Sequence, residues 1–279
     1  MSVFITNDGV ELNYRDSGGE GVPLVLLHGW GQTQAMFKHQ FDGLATSRRV
    51  ITFDQRGHGI SDKPHFGYRI ARFAEDFDQL LDHLGIEEAD ALGWSMGVSV
   101  LWGYIDLNGT SRLRRFVAVD QPAAVAAVPW MTAEEQSESG AIFDVSGLIA
   151  LGGVIASADE GAAATEAFVR SMFSGEPAAE VWDFVASEIQ SSPAYASVPL
   201  LFNHATQDWR DVLPRIDIPT LVLGCDGSHV NPDSQRYIAD KIPGAQIHIF
   251  PVEVANSHFP FLENPVAFNA VIEEFLSAP

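Results

Sequence analysis

Short apolar runs alternate along most of the chain with longer stretches whose apolar residues recur every three or four positions. The runs at 22–27, 49–53, 90–93, 115–119, 220–224 and 246–250 are strand-sized and show little polar alternation. That is the pattern of strands buried on both faces of a parallel sheet. Near the start, residues 3–5 and 10–14 flank Asn7-Asp8-Gly9, a strong hairpin-turn signal. Between the runs lie helical patterns. Residues 70–84 place Phe73, Phe77, Leu80, Leu81 and Leu84 on one stripe, and 266–276 repeat the pattern near the end. Strands alternating with amphipathic helices predict an α/β fold, a mostly parallel doubly wound sheet with right-handed crossovers.

One region breaks the alternation. From about 121 to 208 there is little strand character, and Ala-rich and Gly-rich stretches carry scattered bulky side chains. Long insertions in compact domains commonly carry function. The expected organisation is therefore a core domain of residues 1–120 and 210–279, with a helical cap at 121–209 inserted after the sixth strand as a lid. Its aromatic residues imply an apolar pocket. Trp130, Phe143 and Trp182 of the insertion, with Trp30 and Phe259 of the core, are the candidate lining.

Composition narrows the function classes. The chain has 279 residues, 46% of them hydrophobic, enough to build a core without disulfide staples. It holds one cysteine, so no intramolecular disulfide can form and no structural zinc site is signalled. With 16 Lys and Arg against 37 Asp and Glu, the net charge is −21. Such a surface repels nucleic acid and anionic membranes. The N-terminal segment lacks a basic region followed by an apolar stretch, and no apolar run approaches the ~20 residues that span a bilayer. A cytoplasmic location is expected.

The chemistry concentrates in Gly93-Trp94-Ser95-Met96-Gly97, which fits G-x-S-x-G between an apolar strand and a helical stretch at 98–107. A serine there sits on a tight turn whose neighbours must be glycine, with its Oγ raised above the sheet. The backbone N–H of Met96, at the helix N-terminus, faces developing negative charge. His28-Gly29-Trp30-Gly31 follows an earlier strand, where a second oxyanion donor is needed, and the N–H of Trp30 is the candidate. His258 follows the last strand and is the candidate general base. Residues 54–62 (DQRGHGISD) read as a compact structural turn, and no direct catalytic role is expected for His28 or His58. His229 lies near Asp226, but nothing else has metal-ligand spacing, so neither a metal nor any cofactor is expected.

HGW at 28–30, FDQRGHGISD at 53–62, GWSMG at 93–97 and SHFPFLENP at 257–265 together resemble the α/β-hydrolase superfamily, within it the esterase, perhydrolase and cofactor-free haloperoxidase group. The resemblance covers about 3–120 and 210–276. It implies a nucleophile at Ser95, a base at His258 and an intervening acid. Asp226 follows the strand-like run that usually supplies the acid in this superfamily. The usual D-x-x-V-P spacing, counted back from Pro232, nevertheless falls on Ser228. Asp120, one strand earlier, leaves directly from a buried run and is followed by Gln121-Pro122. Asp120 is the preferred acid and Asp226 the alternative.

The expected activity is cofactor-independent hydrolysis of a small to medium uncharged carboxylic ester through an acyl-enzyme, with a small-molecule ester as partner and the oligomeric state open. Lactone or carbon–carbon bond hydrolysis, cofactor-free dioxygenation and a non-catalytic small-molecule receptor remain alternatives on the same fold.

Overall fold

The computed structural model describes residues 1–189 and 192–278. The first part of the chain runs β1 (Ser2–Ile5), β2 (Glu11–Asp16), β3 (Leu24–Leu27), α1 (Lys38–Leu44), β4 (Val50–Phe53), α2 (Ile70–His83), β5 (Ala89–Trp94), α3 (Met96–Asn108) and β6 (Leu113–Val119). The insertion follows, with β7 (Ala126–Ala127), α4 (Ala133–Ser139), β8 (Phe143–Asp144), α5 (Val145–Ile155), α6 (Gly161–Arg170), α7 (Ala179–Ile189) and α8 (Ala194–Ala205). The chain returns through β9 (Thr220–Cys225), α9 (Pro232–Lys241), β10 (Gln246–Phe250), α10 (Pro260–Glu263) and α11 (Pro265–Ser277).

Every residue of β3, β4, β5 and β9 is buried, as the runs without polar alternation predict. The run at 246–250 is instead the edge strand β10, where only Phe250 is buried. The sheet order is β1-β2-β4-β3-β5-β6-β9-β10, parallel from β4 to β10. The β1–β2 hairpin is antiparallel and joins the edge of β4 antiparallel as well. Alternate residues face opposite layers. Val25 and Leu27 pack with Phe73 and Phe77 of α2 and Val100 of α3, while Leu24 and Leu26 pack with Leu44 of α1 and Phe268 and Ile272 of α11. This is a doubly wound sheet with helices on both faces. Because β3 neighbours both β4 and β5, the chain reverses its winding direction there. The crevice at the C-terminal ends of β3 and β5 is the place where such sheets bind ligands.

Within the insertion, the sequence predicted helices and no strand. The structure adds β7 paired parallel to β8, two residues each, too short to leave a pattern. Local capping starts the helices: a Thr132–Glu135 capping box opens α4, and the Asp144 carboxylate accepts from Gly147 N–H at α5. The insertion is tied to the sheet domain through α8. The Trp30 indole donates to the Ser197 carbonyl at 2.8 Å, and Asn203 Oδ1 accepts from the first N–H of α2 at 2.8 Å. Among the described residues no helix is long and apolar enough to cross a membrane.

The loop after β4 is held by a buried charge. The Arg56 guanidinium, fully buried, donates to Asp76 of α2 at 2.5 and 2.7 Å and to Asp8 at 3.0 and 3.1 Å. Removing Asp76 would leave the buried guanidinium with Asp8 as its remaining carboxylate, and breaking a buried pair costs about 3–5 kcal/mol. Asp76→Ala is accordingly expected to lower the unfolding free energy by about that amount in denaturant titration. A loss within ~0.5 kcal/mol would show that the pair is dispensable.

Candidate active site

The turn between β5 and α3 is possible only because two neighbours have no side chain. A Cβ on Gly97 would lie 2.1 Å from the Leu27 carbonyl oxygen, and one on Gly93 would lie 2.5 Å from the Gly97 carbonyl carbon. Ser95 between them adopts φ 54° and ψ −127°, a conformation that costs on the order of 1–3 kcal/mol and needs its surroundings to enforce it. Its N–H is anchored to the Val119 carbonyl at 3.0 Å, and its carbonyl accepts from Val98 at 2.8 Å. Among the described residues, the non-glycine positions with positive φ are Ser95 and Asp120. Backbone strain of this kind clusters at functional sites.

Asp120 leaves the end of β6, its N–H bonded to the Leu223 carbonyl at 2.8 Å and its side chain fully buried. The His258 Nδ1 lies 2.7 Å from Asp120 Oδ2. The Ser228 hydroxyl donates to that same oxygen at 2.5 Å. His258 is held from both sides: the Trp94 indole donates to its carbonyl at 2.8 Å, and its N–H donates to the Met172 carbonyl at 3.3 Å. Burial pushes the His258 imidazole down and the Asp120 carboxyl up, while the Ser228 hydrogen bond pulls the carboxyl back. Asp226 does not join them. Its side chain is 48% exposed and faces Arg236 at 4.0 Å.

The loop after β3 is braced by two buried histidines. His28 Nε2 accepts from Gln55 N–H at 3.1 Å, and His58 Nε2 accepts from Gly31 N–H at 3.2 Å. Each ring's Nδ1 meets a backbone carbonyl, of Gly29 at 2.8 Å and of Arg56 at 3.0 Å, which fixes both tautomers. Asp54 adds a third brace by accepting from Gln34 N–H at 2.8 Å and Ile60 N–H at 3.1 Å. Trp30 of that loop lines the same cavity as Ser95, and Met96 opens α3 directly after Ser95. N–H groups in a helix's first turn have no intrahelical partner and can receive an anion.

Ser95 and His258 line one cavity with about 530 Å³ of empty space, its mouth included. Trp30, Phe143, Phe168, Met172 and Leu201 supply apolar surface, and Gln32, His204 and His229 supply polar atoms. Among the described residues, no Asp, Glu, Lys or Arg lines it.

The alpha/beta hydrolase family matches the chain over residues 24–271. The chain belongs to that family. Its likeness lies with the esterase and haloperoxidase group. A non-heme chloroperoxidase from Kitasatospora aureofaciens is 27% identical over 258 residues, 90% of each chain. An esterase of known structure from Rhodococcus sp. is 29% identical, with a TM-score of 0.82 over 100% of this chain and 99% of its own. A bromoperoxidase from Bacillus anthracis, 22% identical, shares the fold at a TM-score of 0.87 over 99% of this chain and all of its own.

The hydrolase corrects two expectations about its pocket. Trp30, Phe143 and Phe259 line the cavity, but Trp130 and Trp182 do not. Trp130 is 81% exposed at the start of the insertion. Trp182 packs edge-on against Phe173 and beneath the Arg170 guanidinium, 4.5 Å from its ring centre. Aromatic content marks an apolar lobe, but it does not say which ring turns inward. Arg210 also stays outside the cavity, paired with Asp208 and Glu135. Sequence reasoning missed Ser228, Gln32 and His204 as members of the site. For Ser228 a signal existed, since it stands at the expected place of the acid. For Gln32 and His204 none did.

Four histidines outside the Asp120 pair bear on stability. Burial pushes His28 and His229 down to about 4 and His58 and His204 down to about 3, below the ~6.5 of an unfolded histidine. Between those values the unfolded chain binds more protons than the folded one, so stability is complete above pH 6.5 and is lost as pH falls towards 4. The hydrolase's thermal midpoint is expected to fall steadily from pH 7 to pH 5 in a buffer series. An unchanged midpoint would contradict neutral burial of these rings.

Proposed function

We propose that this hydrolase is a serine esterase acting on compact, uncharged carboxylic esters or lactones without a cofactor. The observation that carries the reading is the buried contact between His258 and Asp120 in the cavity that also holds the strained Ser95. The likeness to the Rhodococcus esterase supports ester chemistry, and the uncharged lining supports an uncharged substrate.

His258, kept unprotonated by burial, accepts the Ser95 hydroxyl proton as Oγ attacks the ester carbonyl carbon. The carbonyl π electrons move onto oxygen, and the Trp30 and Met96 amides stabilise that oxyanion, each donor contributing about 3 kcal/mol. Asp120 fixes the histidine tautomer through Nδ1 and stabilises the imidazolium. The imidazolium protonates the leaving alcohol as the tetrahedral intermediate collapses to the acyl-enzyme. Water, deprotonated by His258, then releases the acid and restores Ser95. In a second reading the His258–Asp120 pair deprotonates the substrate itself, as in a cofactor-free dioxygenase. The position of Asp120 at the end of β6 favours it, because the dioxygenase type places its acid at that strand.

Turnover of p-nitrophenyl esters from acetate to octanoate tests the assignment. Ser95→Ala is expected to lower kcat by about 10⁴-fold or more, and Asp120→Asn by about 10⁴-fold, while Asp226→Asn stays near wild type. Absence of ester turnover in the wild type would end the esterase reading. Oxygen-dependent turnover of an aromatic substrate surviving in Ser95→Ala would establish the second.

Ser228 gives a sharper test of the acid. Losing one hydrogen bond to a charged group, worth ~1.5–3 kcal/mol, should cut kcat about 10- to 150-fold in Ser228→Ala with little change in KM. Because the hydroxyl and the imidazole meet one carboxylate oxygen, a carboxylate placed at 228 is within reach of His258. Asp120→Asn combined with Ser228→Asp is expected to recover at least about tenfold over Asp120→Asn alone. No recovery, with Ser228→Ala like wild type, would remove Ser228 from the mechanism.

A further inference from the structure

Gln32 is 1% exposed, and neither its amide oxygen nor its amide nitrogen has a hydrogen-bond partner among the described residues. Its neighbours differ. Gln34 Oε1 accepts from the Thr52 hydroxyl at 3.0 Å, and Gln55 Nε2 donates to the His28 carbonyl at 2.8 Å. Each bonds the scaffold through at least one amide atom, although Gln55 Oε1 is unpartnered, whereas neither amide atom of Gln32 does and Gln32 lines the cavity. His204 of α8 also lines the cavity, 5% exposed, with Nδ1 unpartnered. A buried polar atom left unpaired costs about 1–3 kcal/mol, so such atoms facing a cavity mark what the cavity is built to receive.

We infer that Gln32, from the loop after β3, and His204, from the insertion, form a polar subsite that selects esters or lactones carrying a hydroxyl or an amide besides the scissile carbonyl. The inference rests on the esterase reading and narrows its substrate class. A carboxamide offers both a donor and an acceptor, so its complement is a group that does both. Charged groups are disfavoured because, among the described residues, no Asp, Glu, Lys or Arg lines the cavity, and burial keeps His204 neutral. A plain alkyl chain would leave the three unpartnered atoms of Gln32 and His204, and the unpartnered Nδ1 of His229 in the same lining, facing methylenes. Gln121, also in the lining, is already engaged, its Nε2 donating to the Pro122 carbonyl at 3.0 Å. Gln32 belongs to the sheet domain and His204 to α8 of the insertion, so the subsite needs both parts of the chain.

The test compares methyl butyrate with methyl 3-hydroxybutyrate, which differ by one hydroxyl. The wild type is expected to favour the hydroxy ester by about tenfold or more in kcat/KM. That ratio should fall to within about threefold in Gln32→Met, and His204→Phe supplies an independent variant if Gln32→Met does not fold. Affinities of both esters for Ser95→Ala, measured by calorimetry, keep the subsite separate from the chemistry. Tighter binding of the hydroxy ester without wild-type turnover would sink the esterase reading and retain the subsite. Equal affinities, or a preference that persists in both variants, would overturn the subsite.

Discussion

The rest of the site depends on one crowded crossing, where the start of α3 passes over the end of β3. The 2.1 Å that would separate a Gly97 Cβ from the Leu27 carbonyl oxygen leaves room for hydrogen alone. With glycine there, the helix starts directly beside the strand end. The Ser95 backbone is held at positive φ, and Met96 opens α3 directly after it. The strain is sustained by neighbours that cannot move: β5 is buried along its whole length and Ser95 N–H is bonded into β6. A rigid sheet thus holds a local conformation that an isolated peptide would relax.

Around that crossing, buried polar groups are arranged so that most are spent on one another. His28, His58, Asp54 and Arg56 stitch the loops after β3 and β4 to each other and to α2. Asp120, His258 and Ser228 bring together the ends of β6 and β9 and the segment after β10. Burial makes every one of these contacts stronger and every missing partner more expensive, which is how a few side chains can fix the geometry to within a hydrogen-bond length. The same low-polarity setting leaves His258 unprotonated, the state a general base needs.

Ser228 ties the loop after β9 to the carboxylate at the end of β6. The loop after β9 still reaches the histidine's carboxylate partner, but it brings a hydroxyl instead of a charge. Asp226, two residues earlier, is a surface residue beside Arg236. What His258 requires is a buried carboxylate oxygen at its Nδ1, and two neighbouring strand ends of a parallel sheet lie close enough for either to provide one.

The strands, the burial of β3, β4, β5 and β9 on both faces, the Asn7-Asp8-Gly9 hairpin and the glycine-flanked serine turn were legible in the sequence. Each is dictated by local sterics or by a hydrophobic period within a few residues. The counting that found Ser228 at the acid's usual position was also a sequence result, although its bond to Asp120 was not. Contacts across 108 and 138 residues depend on how the strand ends are staggered, and no local pattern records that stagger. The same limit governs the cavity. Trp30 and Trp130 are both aromatic in the sequence, yet one faces Ser95 and the other faces water. Only the docking of α8 on the sheet domain decides such a choice, because burial belongs to the packed surface and not to the residue.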